Sequence, residues 1–80
     1  MTIQMEEWEA WNSHPVTREF KEYLRALSSQ IRNEWSNGTY TVESFEGTIQ
    51  LNSNALGKVQ MLDYLLEVSY EDVIEELANV

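Results

Sequence analysis

The sequence predicts an all-α fold: an antiparallel helical hairpin with short helices at its N- and C-terminal ends, forming a single helical domain over residues 1–80. Two observations carry this. Val16, Phe20, Leu24, Leu27, Ile31 and Trp35 recur at intervals of four, four, three, four and four, the repeat of one face of an α-helix. Helix-ending or helix-starting residues then stand at Ser13-His14-Pro15, Ser36-Asn37-Gly38 and Ser69, dividing the chain into helix-sized pieces.

Residues 2–12 read as a short amphipathic helix. Thr2 suits its cap, and Glu6 and Glu7 place negative charge in the first turns, where the helix dipole favours it. Met1, Met5, Trp8 and Trp11 fall near one face. Pro15 cannot donate the hydrogen bond that a continuing helix needs, but it suits a first helical position, with Ser13 or His14 as cap. The long helix then runs from about residue 15 to 36, roughly 33 Å at 1.5 Å per residue. Glu22 stands three residues before Arg25, within pairing distance. Gly38 terminates the helix. Asn37-Gly38-Thr39 also matches a glycosylation acceptor, but the acidic N-terminus lacks the basic and apolar stretches of a signal peptide, so the triplet reads as a helix stop.

Residues 39–54 support two readings. Thr39–Val42 and Thr48–Leu51 have strand-like composition, with Glu46-Gly47 available as a turn, so residues 39–51 can be read as a small β-hairpin. The helical reading follows Phe45, Ile49, Leu56, Val59, Leu62 and Leu66, interrupted by Asn52 and Ser53. Gly47 and Gly57 each cost about 1 kcal/mol inside a helix relative to Ala, while small residues there would let another helix approach. Periodicity supports helix from Ala55 to Glu67 and leaves 44–54 open. Ser69, with Asp72 at the capping-box position, starts a last helix whose apolar face is Val73, Ile74 and Leu77 and which ends near Ala78.

An 80-residue chain forms one domain with a marginal core, and such chains gain stability by self-association or by docking on a partner. A homo-oligomer is therefore expected. The net charge is −9. That disfavours direct binding to nucleic acid or to an anionic membrane, both of which need basic groups, and favours a protein partner with a basic surface. The charge is unevenly spread: four of the five basic residues fall between Arg18 and Arg32, and from Asp63 onward there are six carboxylates and no Lys or Arg. There is no Cys, which removes disulfide and thiolate chemistry and fits a cytosolic protein. No apolar run is long enough to span a membrane.

Trp8-x-x-Trp11-x-x-His14-Pro15-Val16-Thr17, followed by a long helix ending at Gly38, resembles the start of a group of small tailed-bacteriophage helical-hairpin proteins. Asn52-Ser53-Asn54-Ala55-Leu56-Gly57-Lys58-Val59-Gln60 is similar to the second helix of those proteins, which carries an A-L-G-x-x-Q segment. The resemblance covers most of the chain. It implies a helical hairpin, tips residues 44–54 towards helix, and implies a phage or prophage origin, hence the host bacterial cytoplasm or a virion as the place of action. It assigns no functional residue, and it leans towards an assembly role.

No nucleophile–base pair, metal-ligand spacing or phosphate-binding glycine loop is visible, so a non-enzymatic protein without cofactor is expected. His14, the single imidazole, reads as a helix cap rather than a general base. Glu71, Asp72, Glu75 and Glu76 stand at three- and four-residue spacing. They lack the calcium-loop pattern, and form either a solvated face or an anionic docking face. Imitation of DNA is a sharper version of the docking reading, but Arg18, Lys21, Arg25 and Arg32 dilute the charge it needs. Trp8 and Trp11, on a terminal segment, can be either packing residues or apolar anchors for a partner. The candidate partner-binding residues are therefore Glu71, Asp72, Glu75, Glu76, Trp8 and Trp11. Two functions fit: binding and modulating a host factor through the anionic helical face, or serving as a scaffold-like or head-associated component in virion assembly.

Overall fold

The computed structural model describes residues 3–79, and helices make up most of them: α1 (Met5–Ser13), α2 (Pro15–Ser36), α3 (Phe45–Glu67) and α4 (Tyr70–Ala78). Among the described residues there is no strand, so the fold is all-α and the β-hairpin reading of 39–51 does not hold. Met1 and Thr2, read as stripe and cap, lie outside the described residues. Within them α1 starts after Gln4, whose N–H donates to the Glu7 carboxylate at 2.9 Å.

Each later boundary has a local cause. His14 caps α2, its Nδ1 accepting from the Val16 N–H at 3.1 Å, with Pro15 in the first turn. Gly38 ends α2 at φ 76°. There the Thr39 N–H reaches the Glu34 carbonyl at 2.9 Å and the Gly38 N–H reaches the Trp35 carbonyl at 3.0 Å. This pair of bonds closes a helix on a left-handed residue, a conformation that a side chain would strain. Ser44 caps α3, accepting from the Gly47 N–H at 3.0 Å. The Thr48 hydroxyl donates to the Val42 carbonyl at 3.1 Å, and the Asn52 amide donates to the Tyr40 carbonyl at 3.1 Å. These polar side chains tie the strand-like residues back onto α3, so 45–54 is helix despite its composition. Ser69 and Asp72 form the expected capping box of α4, with both bonds at 3.1 Å.

Helices α2 and α3 pack side by side and antiparallel. The inward, less exposed positions are Thr17, Lys21, Leu24, Ser28, Ile31 and Trp35 on α2, and Thr48, Asn52, Ala55, Val59, Leu62 and Leu66 on α3. Both sets alternate steps of four and three, as in a coiled-coil seam. Thr17, Ser28, Ala55 and Val59 are buried and the rest half-buried. One polar cluster crosses the seam. Ser28 donates to the Asp63 carboxylate at 3.2 Å, and Arg32 donates to both Ser28 at 2.9 Å and Asp63 at 2.5 Å.

The seam corrects the expected stripes. Val16 is 69% exposed and Phe20 55% exposed, because the steps of four at the start of that stripe carry them off the seam. Phe45, Ile49 and Leu56 are exposed as well. The inward face of α3 instead passes through Thr48 and Asn52, which bond to the connecting segment at Val42 and Tyr40, and through buried Ala55. Gly57, expected to permit close approach, faces open space: a Cβ there would meet nothing within 4 Å. Gly57→Ala should therefore stabilise the protein by about 1 kcal/mol. A Cβ at Gly47 would stand 2.6 Å from the Ser44 hydroxyl and 2.9 Å from Val42, so Gly47→Ala should destabilise by disturbing the cap. Thermal melts of the two variants should move in opposite directions.

The result is flat, with extents of 51 × 30 × 13 Å. Its smallest dimension leaves room for little more than one layer of helices, each about 10–12 Å across with side chains. The radius of gyration is 16.8 Å, against about 12 Å for a compact domain of this length.

Candidate functional site

The antiparallel arrangement brings the start of α2 and the end of α3 to the same end of the hairpin, and so brings α1 and α4 together. Trp8 is the centre of this junction. Its ring lies 5.3 Å from Trp11 and 6.2 Å from Tyr70, tilted to both, within the range in which aromatic pairs attract. The Tyr70 hydroxyl donates to the Ile3 carbonyl at 2.6 Å, fastening the beginning of the described chain to α4. On the other side of Trp11 the Lys21 ammonium lies 5.3 Å from the ring centroid, a cation–π contact. Lys21 also donates to the Asn12 side chain. Trp11 remains 50% exposed, and Met5, one turn before Trp8, is exposed too.

Met5, Trp8, Glu9, Asn12, Tyr70 and Glu71 line a shallow cleft of about 400 Å³ at this junction. Of the sequence-derived candidates, Trp8 and Glu71 line the cleft, and Trp11 stands against Trp8. Glu75 and Glu76 are exposed further along α4. Asp72 is partly committed to its capping box with Ser69. Glu6, Glu7 and Glu9 on α1 are exposed as well, so both helices at this end are acidic. Neither α1 nor α4 contains Lys or Arg. The arrangement offers an apolar aromatic strip edged by carboxylates.

Tyr70 and Lys21 stand at the site but are not among the candidate partner-binding residues that the sequence nominates. Tyr70 signals itself only as an aromatic at the start of an acidic helix, and its partnership with Trp8 is tertiary. His14 is occupied as a cap and carries no nearby nucleophile in its hydrogen bonding. Among the described residues no three carboxylates or imidazoles stand close enough to hold a metal ion. The pKa of the Tyr40 hydroxyl is raised above its usual value, chiefly by its hydrogen bond to the Glu34 carboxylate, with desolvation and that negative charge adding to it. Tyr40 sits at the opposite end of the hairpin, where its ring meets Trp35 edge to face at 6.3 Å. No described helix is long and apolar enough to cross a membrane. Compared with protein-family models, curated proteins and solved structures, the chain matches none of them.

Proposed function

We propose that this is a non-enzymatic binding protein that acts by protein–protein contact, engaging a partner with a basic surface through the α1–α4 end. The observation that carries this reading is the convergence of Trp8, Trp11 and Tyr70 with the acidic faces of both terminal helices. Exposed aromatics bordered by charge suit an interface, in which the apolar anchor holds and the charge steers. Glu71, Glu75 and Glu76 supply attraction, and Trp11 is the exposed anchor, held in place by Trp8. The resemblance to phage hairpin proteins adds a setting: a host factor in the bacterial cytoplasm, bound and modulated during infection. A second reading, a virion-assembly or head-associated component, is favoured by the amount of apolar side chain left uncovered along the hairpin.

The two readings differ in their response to salt and charge. Screening shortens to about 3 Å at 1 M ionic strength. The host-factor reading therefore expects a protein captured from bacterial lysate at low salt to be released as salt rises. It also expects Glu75→Lys/Glu76→Lys to slow its association about tenfold or more, with the helix content of the protein unchanged. The assembly reading expects binding through apolar contact that neither change affects. Capture that is indifferent to both the double reversal and salt would leave the acidic end as a solvated surface and remove the electrostatic mechanism.

A further inference from the structure

A hairpin one layer thick has two broad faces, and these two are unlike. Helical geometry, at about 100° per residue, sorts the side chains flanking the seam. On one side α2 carries Arg25 and Arg32, and α3 carries Asp63 and Glu67 together with the exposed Ile49 and Leu56; the Arg32–Asp63 ion pair marks this more polar face. On the other side α2 carries Val16, Phe20, Tyr23 and Leu27, at steps of four, three and four. Here α3 carries Leu51, Met61, Leu65 and Val68, with Asn54 and Lys58 completing the same four-three repeat. Each helix thus has a second coiled-coil stripe beside the one that forms the seam. Two such stripes per helix give the wide apolar face of a helix in a four-helix bundle, but a single chain has only two long helices.

The uncovered face is mainly apolar, with Gln30, Glu34, Asn54 and Lys58 interspersed. Leu27, Ile31, Met61 and Leu62 line an open groove of about 770 Å³, bordered by Glu34 and Lys58. Phe20 and Tyr23 stack at 6.2 Å beyond it, and Phe20, Tyr23, Met61 and Leu65 are each about half exposed. The flat shape leaves more surface uncovered than a compact fold would. The chain exposes 6375 Å², whereas a compact monomer of 9.4 kDa would expose about 5,000 Å². The excess of roughly 1,400 Å² per chain, doubled for two chains, falls within the ~2,000–5,000 Å² buried by obligate homodimers. Charge permits the pairing: the charged groups bordering the groove are one acid and one base, Glu34 and Lys58. A strongly anionic chain therefore meets its own copy here with less like-charge repulsion than at its acidic ends.

We infer that the face bearing Phe20, Tyr23, Leu27, Met61 and Leu65 is covered by the same face of a second copy, giving a four-helix bundle. The polar faces and the α1–α4 ends remain outside it, so this inference and the partner-binding reading fail independently. Sedimentation equilibrium of the full chain over a wide concentration range tests it. The expected result is a mass twice 9.4 kDa, with a melting temperature that rises with concentration. Phe20→Glu/Met61→Glu should shift the mass to the monomer and lower the melting temperature. Leu56→Glu, comparably exposed on the other face, should change neither. In case the double variant loses its helices, Met61→Cys gives a second measurement. The chain has no cysteine of its own, so the thiol at position 61 should react more slowly with a thiol reagent at high protein concentration than at low, while that of Leu56→Cys should react equally at both. A monomeric mass at every concentration with a concentration-independent melt overturns the inference. So does dissociation by Leu56→Glu but not by Phe20→Glu/Met61→Glu, or concentration-dependent protection of position 56 and not of position 61.

Discussion

Ala55→Asp should abolish cooperative folding, while Asp at the adjacent Leu56 should be tolerated. Ala55 is 3% exposed in the α2–α3 seam and Leu56 is 45% exposed beside it. An uncompensated charge in the seam costs about 3–5 kcal/mol, a large part of the ~4–12 kcal/mol that holds a domain of this length together. The alternative to paying that cost is opening of the hairpin, and no second layer exists to retain the helices once it opens. Thermal unfolding followed by far-ultraviolet circular dichroism separates the outcomes. A sharp transition retained by Ala55→Asp would mean that the seam is not where the helices meet. Leu27→Asp, at the edge of the seam and within the apolar groove, should weaken the fold and any assembly through that groove, because it carries charge into both.

Trp8→Ala should release both terminal helices without unfolding the hairpin. Each has nine residues, and an isolated helix shorter than about 12–15 residues is marginal in water. Their order therefore depends on the contacts Trp8 makes with Trp11 and Tyr70. Removing a large, half-buried aromatic should cost about 3 kcal/mol here, the lower end of the range for fully buried ones. Hydrogen exchange resolved by residue should show protection lost over 5–13 and 70–78 and retained in the middle of α2 and α3. If protection of all four helices falls together, the junction is part of the cooperative core. If nothing falls, Trp8 is not what joins α1 to α4.

The helix boundaries were largely legible because each rests on local chemistry. Pro15, Gly38, Ser69 and Asp72 do in the structure what their side chains and backbone preferences dictate. The second long helix was harder to read. Its apolar residues surround it: Phe45, Ile49 and Leu56 on one flank, Leu51, Met61 and Leu65 on the other. The inward face runs between them through Thr48, Asn52 and Ala55, residues that hydropathy passes over. Asn52, read as an interruption, holds the loop by its amide. The candidate site was legible only in its parts. The acids and tryptophans could be nominated singly, but their meeting depends on how two helices far apart in sequence lie against each other. The exposure of Val16 and Phe20 was hidden for a related reason: a helical stripe shows that a face is apolar without showing what covers it.

The cluster of Ser28, Arg32 and Asp63 bears on that meeting. Its charged side chains are partly exposed, at 54% for Arg32 and 38% for Asp63, so its contribution to stability is of the order of 0–1 kcal/mol. Its larger consequence is alignment. The four-three repeats of α2 and α3 would match nearly as well after a slide of one heptad, about 10 Å at 1.5 Å per residue. In that slipped register the helix content would be the same. Asp63 would lose both Ser28 and Arg32, and Tyr70 would be carried out of reach of Trp8. A polar contact of little energetic weight near the middle of the hairpin thus acts as its register mark, and on that mark depends whether the two ends of the chain compose a single surface.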